Sequence, residues 1–300
     1  MAEHHPVFSK FRPYSGVADS GFEVDYIGTR TRREFCPEGG VLPERTVHMS
    51  YPPVDEEYFE WVDVLESVLA ARNGYTMFEL GAGYGRWLVR AAAALRQRGP
   101  IPCRLVAVEP EPQHFRWLKN HLRDNGIDPE EHTLIEAAVA DQAGEVLFSV
   151  GLPGGGKDQP NEWYGQTIIK SRTAVADAAY GCYQGAVVSR LKSGWKCIRV
   201  RTVRLPDLLR NFELIDLVDL DVQGEELRVI SSAISELNDQ AKRLHIGTHS
   251  RRIEAGLRRL LRRNGWECLV DYAWHSRCKT PWGEVCFEDG VQSWINPRLG

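Results

Sequence analysis

The sequence predicts an α/β domain with a largely parallel sheet covered by helices on both faces. Strand-like and helix-like segments alternate regularly from residue 76 onward, with no internal repeat and no low-complexity linker. A glycine-rich turn, ELGAGYG (79–85), joins the first strand of that alternation to its first helix. In open sheets of this kind, ligands bind at such strand–helix turns.

Residues 1–52 show no clear period and several turn formers, and are expected to be an irregular N-terminal extension. The domain proper spans 53–300. It opens with a helix over 53–72, where Phe59, Val62, Leu65, Val68 and Leu69 fall at helical spacing and acids gather at the start to suit the helix dipole. Then come a strand at 76–80, a helix at 86–98, a strand at 104–109 and a helix at 112–125 that ends at Asn125-Gly126. Strands are expected at 133–139 and 145–150. The pattern breaks over 151–196, which begins GLPGGGKDQPNEWYGQT and continues with weak helical character. So long an irregular insertion is usually functional or mobile, and it is a candidate substrate lid. Regular signals resume with a strand at 197–203, a short helix at PDLLRN, a strand at 214–222 and a helix at EELRVISSAISEL (225–237). A strand at 243–247, a helix at 251–264, a strand at 267–274 and a hairpin around Gly283 complete the series.

Composition narrows the function classes. A net charge of −4 gives no general affinity for nucleic acid or an anionic membrane surface. No apolar run reaches the ~20 residues of a membrane span, and the N-terminal residues lack a signal peptide's apolar core, so a cytoplasmic location is expected. The seven cysteines are scattered and odd in number, which argues against a disulfide framework or thiolate zinc site; most are expected to be small buried side chains.

The turn at 79–85 does not suit a phosphate. The third glycine of a dinucleotide fingerprint would fall at Arg86, there is no GxxxxGK[ST] loop, and Glu79 would repel a phosphate while pairing with an ammonium group. Glu109 ends the next strand, where ribose hydroxyls are held, and a carboxylate can accept from two adjacent hydroxyls at once. A ribose, a cationic amino-acid end and no phosphate describe S-adenosylmethionine.

ELGAGYG, VAVEPEP (106–112), EAAVAD (136–141), IDLVDLDVQGEE (215–226) and HIGTHSRRIE (245–254) resemble the FkbM family of S-adenosylmethionine-dependent methyltransferases. The resemblance runs from about Pro53 onward. Its most specific part is the DxDxxGxE segment, in which Gln223 stands where the family commonly has an acid. It implies a Rossmann-like class I methyltransferase fold with a mostly parallel seven-stranded sheet, and most often methylation of a hydroxyl on a sugar or natural product. By the same resemblance Gly81, Ala82, Gly83 and Gly85 would lie against the cofactor's amino-acid end. Glu79 would anchor its ammonium, Glu109 and Pro110 would flank its ribose, and Glu136 and Ala137 would lie along its adenine.

A hydroxyl acceptor needs a poised base or a metal ion, because its pKa lies far above neutrality. Asp219 and Asp221 fall on one face of their strand by its period of two, with Asp221 nearer the carboxyl end; one of them could instead cap the following helix. His245 lies within its strand and reads better as a core histidine, whereas His249 falls at the strand's end; the two are ~13 Å apart. His249 with Asp221 is therefore the expected base pair. Asp219, Asp221 and His249 could alternatively ligate Mg or Mn. His48, Tyr51, Trp163, Tyr164 and Gln166 are candidate contacts to a small-molecule or glycan acceptor, or else gap fillers beneath the insertion. The arginines of RRIEAGLRRLLRR (251–263) read as the solvated face of an amphipathic helix. The function expected is O-methylation of a hydroxyl on a sugar or natural-product small molecule. N-methylation and binding of the cofactor or a related nucleoside without turnover are the alternatives. Composition and motifs leave the acceptor and the oligomeric state open.

Overall fold

The computed structural model describes residues 4–35, 40–151, 166–170 and 175–299. Counting only strands of the principal sheet, these are β1 (Tyr75–Leu80), β2 (Cys103–Val108), β3 (Thr133–Ile135), β4 (Leu217–Leu220), β5 (Arg243–Thr248), β6 (Glu267–Tyr272) and β7 (Gly290–Ile295). Their spatial order is β6-β7-β5-β4-β1-β2-β3. Strand β7 alone runs antiparallel to the other six. The strand order reverses between β1 and β4, so a crevice opens above their carboxyl ends.

The helices are α1 (Tyr58–Ala70), α2 (Arg86–Arg98), α3 (Pro112–Asp124), α4 (Leu205–Leu209), α5 (Glu226–Ser232), α6 (Ile234–Gln240) and α7 (Arg251–Arg263). Successive residues of β1 serve opposite layers. Met77 packs with α1, α2 and α3 through Leu65, Leu88 and Leu118, while Phe78 and Leu80 pack on the other face with Val229, Leu257 and Leu261. The single helix expected over 225–237 is two, divided at Ala233.

Three features depart from the expected pattern. Strand β7 was not anticipated, because Gln292 and Ser293 interrupt its apolar run; both are buried nonetheless, and Gln292 is held by the Glu254 carbonyl and Asp271. The expected strand at 133–139 is broken at Glu136–Ala137, and its second part, Ala138–Ala140, joins another sheet. That second sheet replaces the weak helix expected within 151–196. Strands Val175–Tyr183 and Ala186–Leu191 form a hairpin, which continues through Lys196–Arg204 and Gly144–Val150 to Ile168–Ile169. An alanine-rich tract looks helical in isolation, but here it is an antiparallel strand whose partners supply the packing. Of the six described cysteines, all free, only Cys197 is buried.

The N-terminal residues are integral to the core. Strands Ser15–Ala18 and Arg45–His48 pair, as do Phe22–Val24 and Arg30–Arg32. Phe8 is fully buried against Tyr58 of α1, with ring centroids 5.0 Å apart, and Arg90 of α2 reaches back to Asp25 at 3.0 Å. Phe8→Ala is expected to cost about 3 kcal/mol, the usual scale for emptying a buried aromatic site. Urea unfolding would show it as a lower midpoint with an unchanged slope; an unchanged midpoint would mean that this segment packs without contributing stability.

Candidate functional site

A cavity of about 770 Å³ opens at the reversal of the strand order. Its walls come from the β1–α2 turn, the ends of β2, β4 and β5, the start of α1, the second sheet, and the segments flanking the C-terminal hairpin.

The glycine turn is shaped by close approach. Gly81 has φ +85°, and a Cβ there would lie 1.8 Å from the Asp221 carbonyl oxygen. Gly85 has φ +73°, and a Cβ there would meet Leu118 at 2.2 Å. The two glycines let the turn pack against β4 and α3. Gly81, Ala82 and Gly83 line the cavity, together with Tyr84 and Arg86.

Glu79 and Glu109, at the ends of β1 and β2, both bind backbone amides. Glu79 accepts from the Trp87 and Leu88 amides at 3.3 and 3.1 Å, so it caps α2. Glu109 accepts from the Gly83 amide at 2.7 Å and from its near neighbour Glu111 at 2.8 Å. Burial pushes Glu109 up to about 8, and the two amides offset only part of that rise. Next to it Pro110, Ala138, Val139, Phe148 and Ile168 make an apolar wall, and His114, held neutral by burial with a pKa of about 3, completes the corner. Glu136 and Ala137 are placed elsewhere. The Glu136 side chain is exposed while its carbonyl accepts from Arg201, and Ala137 is packed in the core with Phe78 and Val106. The wall begins one residue further on because β3 ends at Ile135 and the chain bends.

Beneath the cavity, a polar row crosses four strands. Asp219 is in register with Glu79 of β1 and His245 of β5, and His245 with Ser293 of β7. All four are buried and face α1, on the same side as Met77. From α1, Asp63 accepts from His245 Nδ1 at 2.7 Å and from Ser293 Oγ, with Arg243 3.5 Å away. Burial pulls the imidazole's pKa down, but the Asp63 hydrogen bond and the charges of Asp63, Asp219 and Asp221 outweigh it, leaving it raised. Asp219 is raised to about 6 by burial, and Glu60 of α1 is raised with it by burial and by Asp219's charge. His245 lines the cavity, which corrects its expected role as a core histidine. Its partner lies 182 residues away in the chain, so no local pattern could reveal the pairing.

A second cluster caps the end of β4. His249 Nδ1 is 2.8 Å from Glu226 Oε1, and its Nε2 is 3.3 Å from Asp221 Oδ1 and 3.6 Å from Asp289. Burial opposes its charge, but the Glu226 hydrogen bond and the charges of Asp221, Glu226 and Asp289 raise it to about 9. His249 is therefore a cation at neutral pH and cannot act as a free base there, a correction to the expected pairing; it holds Asp221 in place. The expected metal set is also divided: Asp219 groups with Glu60 and His245, while Asp221 and His249 group with Glu226. Because the folded pKa lies above the ordinary 6.5, the stability His249 contributes is fully present below pH 6.5 and is lost as pH rises through about 9. NMR titration should place its midpoint near 9, and Glu226→Gln should move it toward 6.5. A wild-type midpoint near 6.5 would exclude the clamp.

Gln223 follows Asp221 with φ +49°, a conformation that strains a side-chain-bearing residue, and its Nε2 donates to Asp221 Oδ1 at 2.9 Å. His275, at φ +47°, also lines the cavity, beside Trp274, Glu288 and Asp289. These residues follow weak strand signals and were not anticipated. Gln166 lines the cavity. Trp163 and Tyr164 lie outside the described residues. His48 is an exposed edge-strand residue, its Nδ1 2.7 Å from Ser15 Oγ, and Tyr51 packs among Phe8 and Tyr26; neither lines the cavity.

The family profile described as the methyltransferase FkbM domain matches residues 79–265. The chain belongs to the FkbM methyltransferase family. A protein of Jannaschia sp. (strain CCS1) that carries a provisional methyltransferase name is 27% identical over 275 residues, covering 87% of this chain and 88% of its own. Among solved structures, precorrin-6Y C5,15-methyltransferase of Geobacter metallireducens GS-15 aligns at 11% identity with a TM-score of 0.42, over 82% of this chain and 90% of its own. Methyltransferase FkbM of Methylobacillus flagellatus KT aligns at 12% identity with a TM-score of 0.40, over 75% of this chain and 44% of its own. This FkbM chain has the Rossmann-like class I methyltransferase fold, and its cavity stands at the topological switch point of the sheet. No helix among the described residues is long and apolar enough to cross a membrane.

Proposed function

We propose that the chain is an S-adenosylmethionine-dependent O-methyltransferase acting on a hydroxyl of a sugar or natural-product small molecule. The observation that carries this reading is the Asp221 carboxylate at the tip of β4, half-exposed to the cavity and held by the His249 cation. Mere cofactor binding does not require such a group, and an amine acceptor needs far less help from a base.

The cofactor supplies a methyl group on a sulfonium, already an excellent leaving group. Glu109 would accept from its ribose hydroxyls, Ala138, Val139 and Phe148 would cover its adenine, and Arg86 at the start of α2 would face its carboxylate. Glu79 acts indirectly, by fixing the amides of α2. Asp221 takes the acceptor proton as the methyl group transfers, and Gln223 and His249 keep the carboxylate aimed by holding its Oδ1. Trp274 and His275 offer ring faces on which an acceptor can stack.

Calorimetry with S-adenosylhomocysteine is expected to show micromolar binding, weakened about a hundredfold in Glu109→Ala through loss of two hydrogen bonds to the ribose hydroxyls. NADH is expected to give no heat. With binding established, a panel of hydroxylated and amino acceptors would be screened for methyl transfer. Absence of heat with S-adenosylhomocysteine from folded protein would overturn the cofactor assignment, and turnover of amines alone would replace O- by N-methylation.

A further inference from the structure

We propose that Glu60, Asp219 and His245 bind a divalent cation, Mg or Mn, at the floor of the cavity. The three come from α1, β4 and β5, and one ligand atom from each lies within 4.8 Å of the others. All three line the cavity, so the site opens toward the acceptor.

Independent observations point to a cation there. Asp219 is 3% exposed; it shares a hydrogen bond with the Glu60 carboxyl, and among the described residues its Oδ1 receives no N–H or hydroxyl donor. A buried carboxylate oxygen left without such a donor is costly, and a cation would satisfy it. The imidazole is arranged as a ligand: His245 Nδ1 is committed to Asp63 Oδ2 at 2.7 Å, which leaves Nε2 as its remaining ligand atom. Histidines that ligate metals nearly always give their other ring N–H to such a partner. Asp63 is itself fixed by Ser293 and Arg243, so the support is rigid. Two carboxylates and an imidazole, with no thiolate among the lining residues, suit Mg or Mn better than a soft metal. The neighbouring Asp221, Glu226 and His249 form the other candidate, but there both ring nitrogens already face carboxylates, Nδ1 that of Glu226 at 2.8 Å and Nε2 that of Asp221 at 3.3 Å.

The inference rests on the methyl-transfer reading for its purpose. A carboxylate such as Asp221 is a weak base for an alcohol, and a cation bound to the acceptor oxygen would lower that oxygen's pKa. The cation would also offset part of the negative charge of Asp221 at the rim of the same cavity.

The test is Mn(II) titration of chelator-treated full-length protein, followed by loss of the EPR signal of free aqueous Mn(II). The expected result is one Mn(II) per chain with a Kd below about a millimolar. Asp219→Asn should abolish that binding. Asp63→Asn, which alters no ligand, should weaken it about 10–100-fold. His249→Gln should leave it unchanged. S-adenosylhomocysteine calorimetry on each variant reports folding and separates the two readings. Cofactor binding without Mn(II) binding would overturn the metal site alone; Mn(II) binding without cofactor binding would overturn the methyltransferase cofactor assignment alone. Mn(II) binding that follows His249 rather than Asp219 would overturn the assignment of the ligands.

Discussion

Replacing Gly81 by alanine is expected to destabilise the protein by more than about 4 kcal/mol, a loss that marks a site with a specific structural demand. Two effects add. The backbone at Gly81 is left-handed, with φ +85°, where a side chain costs about 1–2 kcal/mol. The new methyl would also lie 1.8 Å from the Asp221 carbonyl oxygen, and that atom cannot swing aside like the end of a flexible side chain. Asp221 donates its own amide to the Leu80 carbonyl at 2.9 Å, so moving it would unpair β4 from β1 at the cavity rim. Thermal unfolding and S-adenosylhomocysteine calorimetry should both register the change. Gly247→Ala is the control: its Cβ would sit 3.5 Å from Asp221 Cγ, an ordinary contact, and should be far milder. Equal stability of the two variants would refute the close-approach argument.

Asp221→Asn is expected to lower kcat about a thousandfold, within the usual 10²–10⁴ range for a proton-transfer group, while S-adenosylhomocysteine binds within a few-fold of wild type. The thioether product carries no sulfonium charge, so removing a nearby carboxylate should scarcely affect it. Asparagine keeps the shape and the contact with Gln223 but cannot take the acceptor proton. The readout is S-adenosylhomocysteine release with whichever acceptor the screen identifies. A variant with unchanged kcat would remove Asp221 from the chemistry and leave it a structural partner of His249. If kcat and cofactor affinity fall together, the residue acts on binding and the mechanism given above is wrong.

The alternation of strand and helix was legible because each element carries its own pattern, and the ends of α2 matched at Arg86 and Arg98. The glycine turn and the acid after β2 were legible for a similar reason, since both are local. What escaped detection depended on distance along the chain. Asp63 and Glu60 look like ordinary acids on a helix that also has acids at its start; only the fold shows that they face β4 and β5. Strand β7 was hidden by Gln292 and Ser293, polar residues that are buried because partners distant in sequence satisfy them. Alanines within 175–191 look helical until the sheet partners are known. His249 was placed correctly at the end of β5, but its charge state depends on Glu226 and Asp289, on two other segments.

Strand β7 bears on how the chain acquires its shape during synthesis. It lies between β5 and β6, both of which are translated earlier, and pairs with each along its length. A nascent chain emerging from the ribosome can assemble β1, β2, β4 and β5, but β6 has no neighbour until residues 290–295 emerge. Ser293 is also a clasp on Asp63, so the floor of the cavity stays unlocked over the same interval. Most of the scaffold can thus form progressively, while the pocket is completed only when one late segment slots into place.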